Sequence, residues 1–562
     1  MPHQSSSSRS LFGKRIRAEF VAAAALAGGL IAPAAAAGGG VAEPVLKWQR
    51  GGCFQSFCER GWYGSPAVAD LDGDGQVEVI WASGDLVSLD GATGALEWRA
   101  SNGSRSWPGV AVADLTGDGD LEIVVGRGGD QLTVYDHLGE EEWSRNPFGG
   151  GEVRTLALAD LEGDGRLEIL VARASSGGTE QMSVYQADGS VRPGWPARRP
   201  GEPGFGAGMF NQNIAVAYVD RDGLADIIGP TDTHYITALD PAGNQLPANA
   251  IYGVGEVWSQ VGVHVDHEAD LRGFANCGIE DRPNFANAAP AVADLDGDGR
   301  LEIVVVGDVY DCSIGDPAGD LYYLPWILNL DRTRWRGGGY DWTVIPQAGP
   351  GTGPLSQNFS VIENSVTNAV PADLDGDGEL EILYASYDGK VHAYWLDKTQ
   401  RGSWPFSVPG SGVRFAGEPV VVDLDGDGRA EVLFTSWPEK HSDRVGQLHV
   451  LDADGLALHA VDLPASFGDD WNGGLAAPTL ANLDQDSDLE LVIGTASSGV
   501  VAYDLPSSGG AEVRWGTGRG SQLRSGIRPA TAIFEDDFES GGIAAWSSSA
   551  SIRLPAPNRR RE

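Results

Sequence analysis

Along this chain a short apolar run repeatedly gives way to an acidic, glycine-studded stretch and then to a second run rich in β-branched residues. The phrase SPAVADLDGDGQVEVI at Ser65 returns as VAVADLTGDGDLEIVV at Val110, LALADLEGDGRLEILV at Leu156 and PAVADLDGDGRLEIVV at Pro290. AVPADLDGDGELEILY at Ala369 and EPVVVDLDGDGRAEVLF at Glu418 continue it, while AVAYVDRDGLADII at Ala215 and PTLANLDQDSDLELVI at Pro478 are worn copies, which makes eight. In each, apolar residues such as Ala67, Val68 and Ala69 enter the acidic stretch and a β-rich run such as Val77 to Ile80 leaves it, a pattern that predicts two strands joined by a tight turn.

A second phrase follows several of these hairpins: LVSLDGATGALEWRA at Leu86, LTVYDHLGEEEWSR at Leu132 and VAYDLPSSGGAEVRW at Val501. It reads as an outer hairpin whose last strand closes on a tryptophan, Trp98, Trp143 or Trp515, supplied to the packing between sheets. Copies recur every 44 to 79 residues, the size of a four-stranded antiparallel sheet with its turns. One such sheet cannot bury both faces, and a linear row leaves its end sheets bare, so the expected fold is an all-β propeller of radially arranged blades. Residues 44–48 are strand-like and either complete the last blade or form a leader; closure with eight blades is expected, with seven as the alternative.

The acidic turn carries the candidate chemistry. Numbered from Asp70, carboxylates fall at positions 1, 3, 5 and 9 as Asp70, Asp72, Asp74 and Glu78, with glycines at positions 4 and 6. Alternate residues of a chain folding around a point turn their oxygens inward, and glycine permits the backbone angles this requires. Four carboxylates so close repel one another without a cation, and hard oxygen ligands in flexible geometry suit Ca²⁺. Position 7 would offer only its carbonyl, consistent with its varied side chains. The same ligand positions recur as Asp114, Thr116, Asp118 and Glu122, and as Asp160, Glu162, Asp164 and Glu168. They recur again as Asp294, Asp296, Asp298 and Glu302, as Asp373, Asp375, Asp377 and Glu381, and as Asp423, Asp425, Asp427 and Glu431. The fourth copy has Tyr218 at position 1 and keeps Asp220, Asp222 and Asp226, and is expected to have lost its metal or to bind it poorly; the eighth has Asn482, Asp484, Asp486 and Glu490, with Ser487 for the second glycine, and is expected to bind more weakly. About six to eight Ca²⁺ per chain are expected. An EF-hand is excluded because position 12 is apolar and β-branched residues, not a helix pattern, follow.

Composition sharpens this picture. Hydrophobic residues at 42% and charged residues at 21% are globular values, so the 79 glycines mark turns rather than disorder. A formal charge of −40 repels phosphate backbones and excludes nucleic acid as a partner. At the N-terminus Arg9, Lys14, Arg15 and Arg17 precede an apolar run over residues 20–31 and the small-residue pattern Ala35, Ala36, Ala37, which predicts a signal peptide over 1–37. The run is too short to span about 30 Å of hydrocarbon, so no transmembrane segment is expected in the mature chain, and export to the extracellular space or cell surface is. The four cysteines then predict two disulfides, Cys53 with Cys58 and Cys277 with Cys312.

The longest intervals between copies place insertions around 230–290 and 305–365, where binding surfaces of a rigid ring are expected. The segment 333–354 is rich in Gly, Trp and Tyr, and Trp335 and Trp342 are its candidate ligand contacts. The most catalytic-looking stretch, VHVDHEAD with His264, Asp266, His267, Glu268 and Asp270, lies in an insertion, lacks a completing cluster and reads as a solvated loop. No G-x-S-x-G, H-E-x-x-H or phosphate-cradling glycine loop is found, and no catalytic residue is assigned.

Over residues 49–526 the recurring D-x-D-G-D-G-x-x-E loop resembles the FG-GAP/VCBS repeats of integrin α-subunit propellers and of many exported bacterial proteins. The resemblance implies calcium in the loops and a propeller over 38–528, leaving 529–562 as a flexible tail. It does not name an activity, since rings of this kind carry adhesion, ligand binding and a few enzymes. The expected function is an extracellular scaffold that binds protein or glycan, with calcium structural. The alternative is a calcium-dependent polysaccharide lyase, in which calcium acidifies a uronate proton and a basic residue removes it; no Lys or His recurs at a matching place. A quinoprotein-like dehydrogenase, which holds its cofactor on the ring axis, ranks behind both, because only isolated phrases such as LDGATGALEWRA match.

Overall fold

The computed structural model describes residues 40–51, 61–101, 104–174, 182–195, 214–232, 235–263, 282–285, 287–310, 322–349, 351–356, 366–440, 442, 444–465 and 471–527. Residues 1–37, expected as a signal peptide, all four cysteines with their two expected disulfides, the histidine stretch 264–270 and residues 529–562, expected as a tail, lie outside them. Eight antiparallel sheets form a propeller ring, one sheet per acidic loop, so the expected closure with eight blades holds. The helical pieces among the described residues are two 3-10 turns, Ala250–Tyr252 and Trp258–Gln260, and no described helix is long and apolar enough to cross a membrane.

Blade 1 shows the plan. Strands Ala67–Ala69, Glu78–Ala82, Leu86–Asp90 and Leu96–Ala100 meander outward from the axis, with Ala67 opposite Ile80 and Glu78 opposite Asp90. Blade 2 (Ala111–Ala113, Glu122–Arg127, Gln131–Tyr135, Glu141–Arg145) and blade 6 (Val370–Ala372, Glu381–Ala385, Lys390–Tyr394, Phe406–Ser407) repeat it. Blades 3 and 4 keep three strands among the described residues, with single bridges from Tyr185 to Val191 and from Leu239 to Gln245 where a fourth would begin. The second strands are continuous buried runs, as Glu122–Arg127 illustrates, because both faces pack against neighbouring blades.

Tryptophans wedge the blades together. An indole N–H of one blade donates to a hairpin carbonyl of the next: Trp48 to Gly91 at 2.8 Å, Trp143 to Ala187 at 2.8 Å, Trp258 to Leu330 at 2.7 Å, Trp342 to Leu396 at 2.9 Å and Trp404 to Ala453 at 2.9 Å. A buried indole thus contributes area and satisfies a turn carbonyl at once. The ring closes on Val45–Arg50, which pairs antiparallel with Val500–Leu505 as the outer strand of blade 8.

That closure displaces one expected element. Trp515 does not end an outer strand of blade 8; Glu512–Trp515 runs inward and pairs with Val420–Asp423, the innermost strand of blade 7. Residues 516–527 then line the axis. Innermost strands of radial blades have one edge with no strand beside it, and its N–H and C=O groups need partners. Gly516 O accepts from Leu480 of blade 8 at 2.8 Å, Leu523 O from Leu158 of blade 3 at 2.8 Å, Ser525 O from Val216 of blade 4 at 2.9 Å and Gly526 O from Val292 of blade 5 at 2.9 Å. The Arg524 guanidinium donates to Pro66 O of blade 1 and to Val110 O at the start of blade 2, both at 2.9 Å, and Arg519 donates to Ile214 O at 2.9 Å and to Pro290 O. Both arginines are fully buried; burial lowers Arg519 to about 10 and Arg524 to about 9, values that keep both charged at neutral pH. The chain's own segment therefore serves the inner edges of the blades along the axis.

Candidate metal centres

All eight acidic loops fold alike because one hydrogen bond recurs in each. The carboxylate at position 9 sits on the first residue of the second strand, or the second in blade 8, and one of its oxygens accepts the backbone N–H of position 2. The pairs are Leu71 to Glu78 (2.7 Å), Leu115 to Glu122 (2.6 Å), Leu161 to Glu168 (3.0 Å), Val219 to Asp226 (3.0 Å), Leu295 to Glu302 (3.0 Å), Leu374 to Glu381 (2.7 Å), Leu424 to Glu431 (2.8 Å) and Leu483 to Glu490 (2.7 Å). The second oxygen is left for the loop interior. Position 1 braces the turn, as when Gly75 N donates to Asp70 Oδ2 at 3.0 Å, and Gly73 and Gly75 hold φ of +70° and +84°, where a side chain would be strained.

The loops differ in how far their oxygens converge. Ligand atoms lie within 4.8 Å of one another in Asp70, Asp72 and Glu78, in Asp294, Asp296 and Glu302, in Asp373, Asp375 and Glu381, in Asp423, Asp425 and Asp427, and in Asp484, Asp486 and Glu490. Loops 2 and 3, with Asp114, Thr116, Asp118 and Glu122 and with Asp160, Glu162, Asp164 and Glu168, keep the bracing bonds but are not gathered in this way. In loop 3, Arg192 forms an ion pair with Glu162. In loop 4 the Tyr218 hydroxyl, standing at position 1, donates to Asp160 O of the neighbouring loop at 2.6 Å, so it ties blades together rather than facing Asp220, Asp222 and Asp226. Asp74, Asp118, Asp298 and Asp377 lie at exposed tips.

The electrostatics favour a cation. Burial, reinforced by the neighbouring aspartates, pushes the position-9 carboxyl up to about 8 in Glu78, about 9 in Glu381 and about 7 in Glu302 and Glu431, against the pull of the position-2 N–H. Glu122, Glu168 and Asp226 rise to about 7, again mainly through burial. Among the described residues Asp294 Oδ1, Asp375 Oδ1 and Asp425 Oδ1 are buried oxygens with no hydrogen-bond partner. Unpartnered buried oxygens beside like charges are what a metal ion relieves, and the donor set is hard oxygen throughout. The residues present therefore fit a divalent cation in loops 1, 5, 6 and 7.

Trp335 and Trp342 are not positioned for ligand contact. They are 3% and 0% exposed; Trp342 is the wedge to Leu396, and Trp335 stacks on Tyr340 with ring centroids 6.3 Å apart. A half-buried aromatic cluster lies elsewhere. At the strand ends opposite the acidic loops, Arg154 rests 3.6 Å from the Trp107 ring centroid, Arg105 lies 5.0 Å from it, and Tyr63 meets it edge-on at 4.4 Å. Beneath, Trp62 packs edge-on against Trp437 and Trp471 at 5.2 and 5.3 Å. Sequence reasoning missed this cluster because its members come from separate inter-blade segments; the only local signal was an aromatic residue just before an innermost strand, at Tyr63 and Trp107.

The family of FG-GAP-like repeats matches residues 114–171 and 373–434, spans that contain loops 2, 3, 6 and 7. No curated protein matches the chain in sequence. Among solved structures, the biofilm matrix protein Bap1 of V. cholerae is similar at 15% identity, over 83% of this chain and 92% of that one, with a TM-score of 0.46. BamB from Moraxella catarrhalis is similar at 13% identity over 78% and 96%, TM-score 0.42, and a rhamnogalacturonan lyase of Bacillus licheniformis at 16% over 82% and 75%, TM-score 0.40. With these repeats standing at hairpin tips of the ring described above, the chain is an eight-bladed β-propeller that carries FG-GAP-like repeats over residues 114–171 and 373–434.

Proposed function

We propose that the protein is an exported binding scaffold whose acidic loops are stapled by calcium and whose opposite face engages an extracellular protein or glycan. The carrying observation is the set of converging carboxylates at the hairpin tips, with buried oxygens at Asp294, Asp375 and Asp425 that no protein group satisfies. An ion that binds only the folded ring stabilises it by RT ln(1 + [Ca²⁺]/Kd), about 2.7 kcal/mol per site at a hundredfold excess over Kd. The test is to count bound metal by elemental analysis and to follow the unfolding midpoint with and without chelator. Several Ca²⁺ per chain and a large drop on chelation support the reading; no calcium and no drop overturn it.

The face opposite the loops supplies the contact surface. Tyr63, Arg105, Trp107 and Arg154 offer guanidinium groups and aromatic rings on a chain that is otherwise strongly acidic, a combination suited to an anionic glycan. Lys440, lowered by burial and then by the charge of Arg105, adds a further cation. Saturable binding of an acidic polysaccharide, weakened by Arg154→Ala and by Trp107→Ala, is the expected result. The lyase alternative asks one substrate to meet both calcium and a base; Lys440 stands on the face away from the acidic loops, so the scaffold reading is preferred.

A further inference from the structure

Lys47 belongs to Val45–Arg50, the N-terminal strand that closes the ring, and its side chain reaches back over the acidic loop of blade 8. Its Nζ lies 2.5 Å from Asp484 Oδ2 and 2.9 Å from Glu490 Oε1. Asp484 is position 3 of the loop and Glu490 is position 9. Glu490 Oε2 already accepts the Leu483 N–H, so the ammonium takes the oxygen that in the other loops is left facing the interior. The Glu490 side chain is fully buried and that of Lys47 only 16% exposed.

The rest of the loop has the character of a seat adapted to a monovalent charge. Position 1 is the neutral Asn482, whose Nδ2 donates to Asp486 O at 2.6 Å and whose Oδ1 accepts from Gln485 N at 2.8 Å, so its amide serves the turn itself. The left-handed residue at position 4 is Gln485 at φ +64°, where loops 1, 5, 6 and 7 have glycine. Loops 5, 6 and 7 each hold a buried carboxylate oxygen without a partner; in blade 8 the one such oxygen among the described residues, Asp504 Oδ1, lies on the strand paired with Glu490 and not in the loop itself.

We infer that the eighth loop is occupied by the chain's own cation: the Lys47 ammonium fills the place that a metal ion takes in the well-formed loops, and it pins the closing strand to blade 8 without calcium. The inference rests on the reading of those other loops as calcium sites. Because strand pairing holds the ammonium beside the two carboxylates, it competes with a free ion at high local concentration and releases no freedom when calcium is withdrawn. The seam of the ring is then held at its acidic loop whether or not calcium is present.

The test compares the wild-type full chain with Lys47→Met, which keeps the length of the side chain and removes its charge, and with Lys47→Arg as the charge-conserving control. Elemental analysis after saturation with Ca²⁺ should show one more ion per chain in Lys47→Met than in the wild type, with Lys47→Arg matching the wild type; equal counts in wild type and Lys47→Met overturn the inference. If neither protein binds calcium, the calcium reading fails, and the inference stands or falls on the chelated samples: a lower midpoint for Lys47→Met supports an internal counter-ion, an unchanged one overturns it. A wild-type measurement covers the case in which Lys47→Met does not fold. Reductive methylation read by peptide mass spectrometry should find Lys47 equally protected with chelator and with millimolar Ca²⁺; a Lys47 that becomes reactive when calcium is added has been displaced by the ion, and the inference is wrong.

Discussion

The hairpin tips and the axis pose the same problem, polar groups that a blade cannot satisfy by itself, and the molecule answers it differently in each place. At the tips, carboxylates of a single loop face one another, and their buried oxygens at Asp294, Asp375 and Asp425 have no protein partner. Along the axis, the edge groups of seven innermost strands are met by one segment of the same chain, from the Glu512–Trp515 pairing through Gly526 and the guanidiniums of Arg519 and Arg524. The tips are open to solvent and can draw a counter-charge from it. The axis is closed, so its counter-charges and donors must be covalently part of the protein. Blade 8 stands between these solutions, with a tip served by Lys47.

The largest effect should come from removing the internal supplier. Ending the chain at Trp515 exposes or orphans the axial N–H and C=O groups of six blades, and loss of cooperative unfolding and of near-ultraviolet circular dichroism is expected; a truncated protein that melts like the full chain would break the contrast. Chelation should come second, lowering the midpoint by on the order of 10 °C if several sites contribute about 2.7 kcal/mol each, with Ca²⁺ restoring it. Arg524→Met should then cost about 3 kcal/mol by denaturant titration, with or without calcium, because the carbonyls of Pro66 and Val110 lose charged donors. Glu381→Gln should be smaller and depend on calcium: one ion fewer and a lower midpoint in calcium, but no loss in chelator, where an uncompensated buried carboxyl has been removed.

The smallest effect separates acid sensitivity of the tips from that of the core. His449 is fully buried in blade 7, stacked on Phe434 at 4.8 Å and bonded to Ser436 Oγ at 3.0 Å, and burial followed by the charge of Arg414 pushes it down to about 3. Its folded value lies below the unfolded one, so the neutral ring contributes stability that is fully present above about pH 6.5 and is lost as pH falls toward 3. His449→Phe should shift the acid-unfolding midpoint to slightly lower pH, leaving the remaining acid response to the rim.

The repeat was legible because everything in it is local. Nine consecutive residues such as 70–78 carry their own turn, ligands and bracing carboxylate, so the strands on either side and the count of eight followed from one phrase. The axis was not legible, since residues 516–527 read as a polar, glycine-rich loop and their partners lie in blades hundreds of residues away. Trp515 was misplaced for the same reason, its local pattern fitting an outer strand that Val45–Arg50 already supplies. Trp335 and Trp342 were assigned to a ligand because they stand in an insertion, yet the Trp342 indole donates to a carbonyl of the next blade as those of Trp143 and Trp404 do. Lys47 carried no motif at all; only pairing across 437 residues brings it to Asp484.

The axial segment also imposes an order of events. Arg524 meets Pro66 across 458 residues, and residues 516–527 are synthesised after every blade whose edge they complete. During elongation the early blades must wait with bare inner edges, open to mispairing, until the last turn of chain arrives. So large a sequence separation makes the final step slow. The ring is therefore assembled like an arch, blades leaning inward around a gap, and it becomes self-supporting only when a dozen late residues drop into the centre as its keystone.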